Sequence, residues 1–322
     1  MTQPTTAQYY TDPPAAELIA QIDRLKQKKS GDFGAQLPYP RDPGSRRLHR
    51  RFARSIGQSS KTDADLIVFC GVHFMAESAK ILSPGKMVLL PHLGAGCSLV
   101  DSITPESLDD WKQDYPDHTV VTYVNSTAEV KAESDICCTS ANAVSVVRSL
   151  DNDKVLFTPD RNLGRWVAEK VPEKEVVIDD GACPTHDVLR AASVERTRDE
   201  FPEAVIIAHP ECRQDVVEIA HEVCSTTGML TAVEKYPDAK SFIIATENGM
   251  LHQLKARFPH QEFMAADGCI GCRLHCPYMK MTGLQDVYFS LLEQRFAIEL
   301  DDEVIEGARR SLERMMAVPR DD

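Results

Sequence analysis

The chain has 322 residues, 43% of them apolar and 26% charged, enough for about one to three packed domains. A formal charge of −13 argues against a nucleic-acid surface, because phosphate recognition needs clustered positive charge, yet it leaves room for a local basic pocket. The apolar runs are far too short to span a bilayer and residues 1–11 carry no apolar signal core, so the expectation is a cytoplasmic protein with reduced thiols.

Residues 17–29 predict a charged amphipathic helix, with Leu18, Ile22 and Leu25 spaced by four and three. Pro38, Pro40 and Pro43 follow, a density that a central strand does not accommodate, and then come Arg46, Arg47, Arg50, Arg51 and Arg54. This stretch reads as a loop leading into a basic helix. Beyond residue 63 the pattern becomes regular. Short apolar runs at 66–70, 87–90, 119–124, 136–138, 154–157, 175–178, 204–208, 241–245 and 262–264 are each followed by a turn and a helical stretch. Continuous apolar runs alternating with helices indicate an α/β protein whose parallel sheets are covered on both faces.

The runs also repeat at long range. Cys70, Thr158 and Thr246 each end an apolar run, and successive members are 88 residues apart. Asn125 and Glu211 close equivalent runs 86 apart; Cys97 and Cys183 are 86 apart in Gly-Ala-rich loops, and the next such step lands on Cys269. Three similar α/β/α units, 1–98, 99–185 and 186–322 (the last with a C-terminal helix), are therefore expected, and a pseudo-threefold axis relating them would set corresponding loops side by side. Their loops would bring three thiols together beyond the strand C-termini, where ligands lie in such sheets. The repeat fails once: an apolar run should end near residue 35, where the proline- and arginine-rich stretch stands instead.

Cys269, Cys272 and Cys276 form a Cys-x2-Cys-x3-Cys loop. It lacks the fourth ligand of a closed zinc site and resembles an iron–sulfur loop completed from distant parts of the chain. Cys70, Cys137, Cys138, Cys212 and Cys224 read as small buried hydrophobes. His209-Pro210-Glu211 stands at a strand tip, where a histidine and a carboxylate suit acid–base work on a carbonyl compound or, equally, cap the strand with a surface ion pair. Ser225-Thr226-Thr227-Gly228 and Thr139-Ser140-Ala141-Asn142 are hydroxyl-rich turns that either receive a phosphate at a helix start or serve as plain caps. Tyr123-Val124-Asn125 ends another strand and is open in the same way. His73 and Glu77, four apart, read as a solvated, capped helix face rather than a metal pair.

Several longer motifs carry a resemblance. Residues 62–82, Thr-Asp-Ala-Asp-Leu-Ile-Val-Phe-Cys-Gly-Val-His-Phe-Met-Ala-Glu-Ser-Ala-Lys-Ile-Leu, are the most characteristic. Beside them stand Tyr123-Val124-Asn125-Ser126, Cys138-Thr139-Ser140-Ala141-Asn142-Ala143, Pro159-Asp160-Arg161-Asn162-Leu163-Gly164, His209-Pro210-Glu211 and Cys276-Pro277-Tyr278-Met279-Lys280-Met281. Over about residues 62–320 the chain resembles the A-type quinolinate synthases of bacterial NAD biosynthesis. The resemblance implies a [4Fe–4S] cluster held by Cys97, Cys183 and Cys276, so it replaces the Cys269 that the repeat alone selects. It implies condensation of iminoaspartate with dihydroxyacetone phosphate to quinolinate, with release of phosphate and water. Tyr123, Asn125, Ser140, His209, Glu211 and Thr226 match the substrate positions, with Ser225 adjoining, and His209 and Glu211 are the expected proton carriers. An L-aspartate oxidase, as supplier of iminoaspartate, is the protein partner it suggests; no nucleic acid or membrane is implied.

The departure falls where the repeat fails. The family carries a strand ending His-x-Tyr and, farther on, the serine of a Gly-Asp-Ser turn; the corresponding positions here hold Ala35, Leu37 and Phe52. The preserved length and the Arg/Pro-rich composition fit residues 31–61 having been read in a shifted frame. The alternative is a cluster-bearing but inactive relative, a sensor or binding protein.

Overall fold

The computed structural model describes residues 15–29, 63–267 and 274–321; the aberrant stretch 31–61, Cys269 and Cys272 lie outside them. The helix expected over 17–29 is present as Ala15–Lys29 and buries Leu18 and Ile22.

The apolar runs form three parallel sheets. The first pairs β1 (Leu66–Val68) with β2 (Met87–Leu89). The second contains β3 (Thr119–Tyr123), β4 (Ile136–Cys138), β5 (Lys154–Thr158) and β6 (Glu175–Ile178), in the order β4-β3-β5-β6. The third contains β7 (Val205–Ala208), β8 (Glu222–Val223), β9 (Ser241–Ala245) and β10 (Glu262–Ala265), in the order β8-β7-β9-β10. Those two orders are the same, so β3 corresponds to β7 and β5 to β9, as the 86- and 88-residue spacings require. By the same spacing β1 and β2 correspond to the last two strands of each larger sheet. The counterparts of β3 and β4 in the first unit would fall among residues outside the described ones.

Central strands carry continuous apolar runs because both faces are covered. Val120, Val121, Val155, Leu156 and Phe157 are buried in the second sheet, and Ile206, Ile207, Ile243 and Ile244 in the third. Cys70, Cys137, Cys138 and Cys212 are buried among them, with Cys224 half-buried. Burial pushes the Cys70 thiol up to about 12 and raises Cys137 and Cys138 as well, so these are packing residues.

The chain beyond Cys276 turns back from the third sheet. Helix Leu284–Glu293 sets Val287 and Leu291 against Leu66, Val68 and Leu89, under helix Ala15–Lys29. Ala297 then bridges antiparallel to Leu89. Helix Asp302–Ala317 buries Ala308, Leu312 and Met315 against Ile136 and Cys137 of the second unit. Its approach to helix Ala128–Ala132 is so close that a Cβ on Gly307 would stand 2.9 Å from the Ala132 side chain. Among the described residues no helix is long and apolar enough to cross a membrane.

Candidate active site

Three cysteines stand in loops after corresponding strands: Cys97 after β2, Cys183 after β6 and Cys276 after β10. The Cys276 loop docks on the Cys97 loop. A Cβ on Gly94 would meet the Met281 sulfur at 3.3 Å, and one on Gly96 the Tyr278 ring at 3.7 Å. Each cysteine precedes a short helical turn, Val100–Ser102, Pro184–Asp187 or Tyr278–Lys280. Backbone amides two or three residues onward reach each sulfur: Leu99 and Val100 for Cys97, His186 for Cys183, Tyr278 and Met279 for Cys276.

Burial nevertheless dominates. It pushes Cys97 to about 11, Cys183 well above the ordinary thiol range and Cys276 upward. The negative charge of Cys276 would raise Cys97, and that of Cys97 would raise Cys183, so the sulfurs share one neighbourhood. Buried thiols with amides aimed at them are protonated when alone and become thiolates when a metal displaces the proton. This donor set fits an iron–sulfur group. A single ion has a second option, since the ligand atoms of Cys183, His186 and Glu211 lie within 4.8 Å of one another.

Beside Cys183 lies a buried acid–base cluster made from the tips of β3 and β7. The Tyr123 hydroxyl donates to Glu211 Oε1 at 2.5 Å. Glu211 Oε2 lies 2.9 Å from His186 Nδ1, and His209 Nδ1 is 3.9 Å from Glu211 Oε1. His186 stacks on His209 with ring centroids 4.9 Å apart, and His209 Nε2 bonds Ser140 Oγ at 3.2 Å. His186 Nε2 bonds Thr246 Oγ1 at 2.9 Å, which ties the cluster to the tip of β9.

Burial pushes Glu211 up, but the charges of His186 and His209 and the His186 and Tyr123 hydrogen bonds outweigh it and hold the carboxyl well below its usual range. Burial opposes a charge on His186 too, yet Glu211 raises its pKa. Tyr123, buried beside that carboxylate, is raised well above the ordinary phenol. The site therefore stores its protons on Tyr123 and His186, and its accepting charge on Glu211.

Tyr123, Ser140, His209 and Glu211 thus come together in one place. Asn125 follows Tyr123 by two residues and is half-buried. Ser225 is buried and caps helix Thr226–Glu234, accepting from the Thr227 and Gly228 amides at 3.1 and 3.2 Å, while Thr226 is exposed at the helix start. Arg320 donates to Ser225 Oγ at 3.4 Å. The adjacent Asp321 accepts from the Val144 and Ser145 amides, just past the Ser140 turn.

Two site residues escape the sequence reading. His186 stands three residues after Cys183, and a Cys-x2-His spacing could have flagged it. Asp160 lies in a motif quoted only for resemblance. It is fully buried, accepts from the amides of Leu163 at 2.7 Å and Cys183 at 3.0 Å, and is pushed up to about 7 by burial and the Glu211 charge. One expectation needs correcting. His73 and Glu77 are not a solvated face: Glu77 is buried, lies 3.2 Å from His73 Nδ1 and accepts from the Ala128 amide of the second unit at 3.1 Å.

Parallel sheets whose strand-end loops gather three thiols beside a buried carboxylate–histidine cluster define an α/β protein with a metal-competent polar centre. The chain belongs to the quinolinate synthase family: residues 54–317 match the family model described as Quinolinate synthetase A protein. It is 50% identical over 264 residues to the quinolinate synthase of Geotalea uraniireducens, covering 82% of this chain and 85% of that protein. Against the quinolinate synthase of Caldicellulosiruptor saccharolyticus it is 48% identical over 253 residues, 78% and 82% of the two chains. The Alkaliphilus metalliredigens quinolinate synthase is 47% identical over 305 residues, 94% of this chain and 98% of that one.

Proposed function

We propose that this chain acts in NAD biosynthesis in the cytoplasm, condensing iminoaspartate with dihydroxyacetone phosphate to quinolinate and releasing phosphate and water. Its three units, 1–98, 99–185 and 186–322, would surround a pseudo-threefold axis, with Cys97, Cys183 and Cys276 holding a [4Fe–4S] cluster. An L-aspartate oxidase would supply the iminoaspartate. The observation that carries this reading is the meeting of Tyr123 and Glu211 from two different sheets, 2.5 Å apart, beside the thiol of Cys183.

Bound, the cluster supplies an iron without a protein ligand, a Lewis acid for a carboxylate or hydroxyl of the reacting molecule. The chain's own residues do the rest. Glu211, held as a carboxylate in a dry site, accepts the proton lost from carbon on enolisation. His209, bonded to Ser140, delivers a proton to the oxygen that leaves as water, while Tyr123 holds Glu211 in place through its hydroxyl. Asn125, Ser140, Ser225 and Thr226 supply neutral donors for the two anionic ends, with the Arg320 guanidinium beside Ser225.

The second reading, a cluster-bearing relative without activity, is favoured by one observation. Ala35, Leu37 and Phe52 lack the groups that the family carries there, and the family match begins at residue 54. The deciding experiment is anaerobic: reconstitute the chain with iron and sulfide, then assay quinolinate from both substrates. Product supports the enzyme, a cluster without product supports the inactive relative, and no cluster defeats both. If product is lacking, the gene itself discriminates further. An alternative frame across 31–61 that encodes His-x-Tyr and Gly-Asp-Ser explains the loss, and swapping in that translation restores activity.

A further inference from the structure

Cys276 stands beside a buried ion pair that the proposed chemistry does not use. Lys280 Nζ lies 2.8 Å from Glu247 Oε1, with side-chain exposures of 11% and 10%. Glu247 follows Thr246 just past the tip of β9, and its carboxylate accepts from the Gly249 amide at 2.8 Å and, more weakly, from the Cys276 amide at 3.4 Å. The pair fills its corner: a Cβ on Gly249 would stand 2.7 Å from Glu247 Oε2 and 2.9 Å from Lys280 Nζ.

Burying two charges removes both from water, and apolar residues of similar volume often serve stability as well or better. The position of the pair beside a ligand sulfur therefore asks for another account. The Cys276 thiol, raised first by burial and lowered by the Met279 amide, is pushed up by Glu247 and drawn back by Lys280. The Cys183 corner is built differently. There the buried carboxylate on the cysteine amide is Asp160, and the cationic neighbour is His186 rather than a lysine.

We propose that Glu247 and Lys280 are positioning residues for Cys276: Glu247 anchors the backbone of that ligand and Lys280 offsets the carboxylate's charge at the sulfur, so that the pair keeps the reduction potential of the cluster held there from the shift that either charge alone would cause. This role rests on the cluster reading above. Potentials of such clusters follow net charge and hydrogen bonding at their sulfurs, so removing either member moves the potential in a direction given by its sign.

The test is a potentiometric titration of the reconstituted chain with dithionite and mediators, followed by absorbance and electron paramagnetic resonance. Glu247→Gln raises the potential, Lys280→Gln lowers it, and the double variant returns close to the parent. Shifts in the same direction, or none, in variants with parental iron content overturn the proposal, because a packing role has no reason to act with opposite signs. If the neutral variants lose iron, the charge-keeping Glu247→Asp and Lys280→Arg decide. Iron retained in both supports the pair's electrostatic role, and iron lost in both indicates packing and overturns it. Cys276→Ser tests the underlying reading separately. A cluster that survives that change unaltered removes Cys276 from the ligand set, whatever the other variants do.

Discussion

The second and third sheets share one strand order, and each sends the tip of its second-position strand into the site. β3 brings Tyr123 and Asn125; β7 brings His209 and Glu211. The first sheet, among the described residues, has only the counterparts of their last two strands, and it contributes Cys97 through the loop after β2. The Cys97 loop thus needs only the strand it follows, whereas Tyr123 and Glu211 each need the strand that comes first along the chain in its sheet. Under the proposed function, Cys97 can serve the metal centre whatever the residues before β1 contribute to the substrate pocket. The first unit is also held by its neighbours: helix Leu284–Glu293 covers one face, and Glu77 reaches across to the Ala128 amide.

The largest effect that would break this comparison concerns the thiols. If all three units serve the metal centre equally, serine at Cys97, Cys183 or Cys276 abolishes cluster uptake, read as iron and sulfide per chain. Serine at Cys70, also in the first unit but buried at the end of its strand, leaves uptake intact. A cluster retained in Cys97→Ser would mean that the first unit contributes neither ligand nor tip.

A middle-sized effect tests the joint between the first two units. Glu77→Ala strands the buried Ala128 amide and removes the partner of His73, which should cost about 1–3 kcal/mol in urea unfolding. Glu77→Gln keeps an acceptor and should cost less. Equal losses would place the effect in charge rather than in the cross-unit hydrogen bond.

The smallest effect is a pH dependence, read on the cluster-free chain. The Glu211 carboxyl is held below its ordinary 4.5, so its stabilisation is present above pH 4.5 and is lost as pH falls through the folded value. Asp160 has the opposite sign. Raised from 3.8 to about 7, it opposes folding increasingly as pH rises between those values. The stability advantage of the parent over Glu211→Gln should therefore shrink in acid. Asp160→Asn should gain on the parent, by about 1–4 kcal/mol, as pH rises from about 4 to about 7. Parallel pH curves for all three chains would refute the opposed pair.

Much of this was legible in the sequence, because its signals are local and periodic. Continuous apolar runs followed by helical stretches specify parallel strands, and the 86- and 88-residue steps put Cys97 and Cys183 in matching loops and Asn125 and Glu211 past matching tips. The same arithmetic expects one more apolar run ending near residue 35, which lies outside the described residues. Other features have no local signal and belong to the tertiary structure alone. Helices at the C-terminal end return to cover the first two sheets, since apolar faces are matched by packing and not by order along the chain. Glu77 reads as part of a solvated helix face, Asp160 and Lys280 stand out only inside longer motifs, and His186 carries no signal of its own until folding encloses them. Water is then excluded, and each finds a partner more than 20 residues away along the chain: the Cys183 amide for Asp160, Thr246 for His186, the Ala128 amide for Glu77 and Glu247 for Lys280.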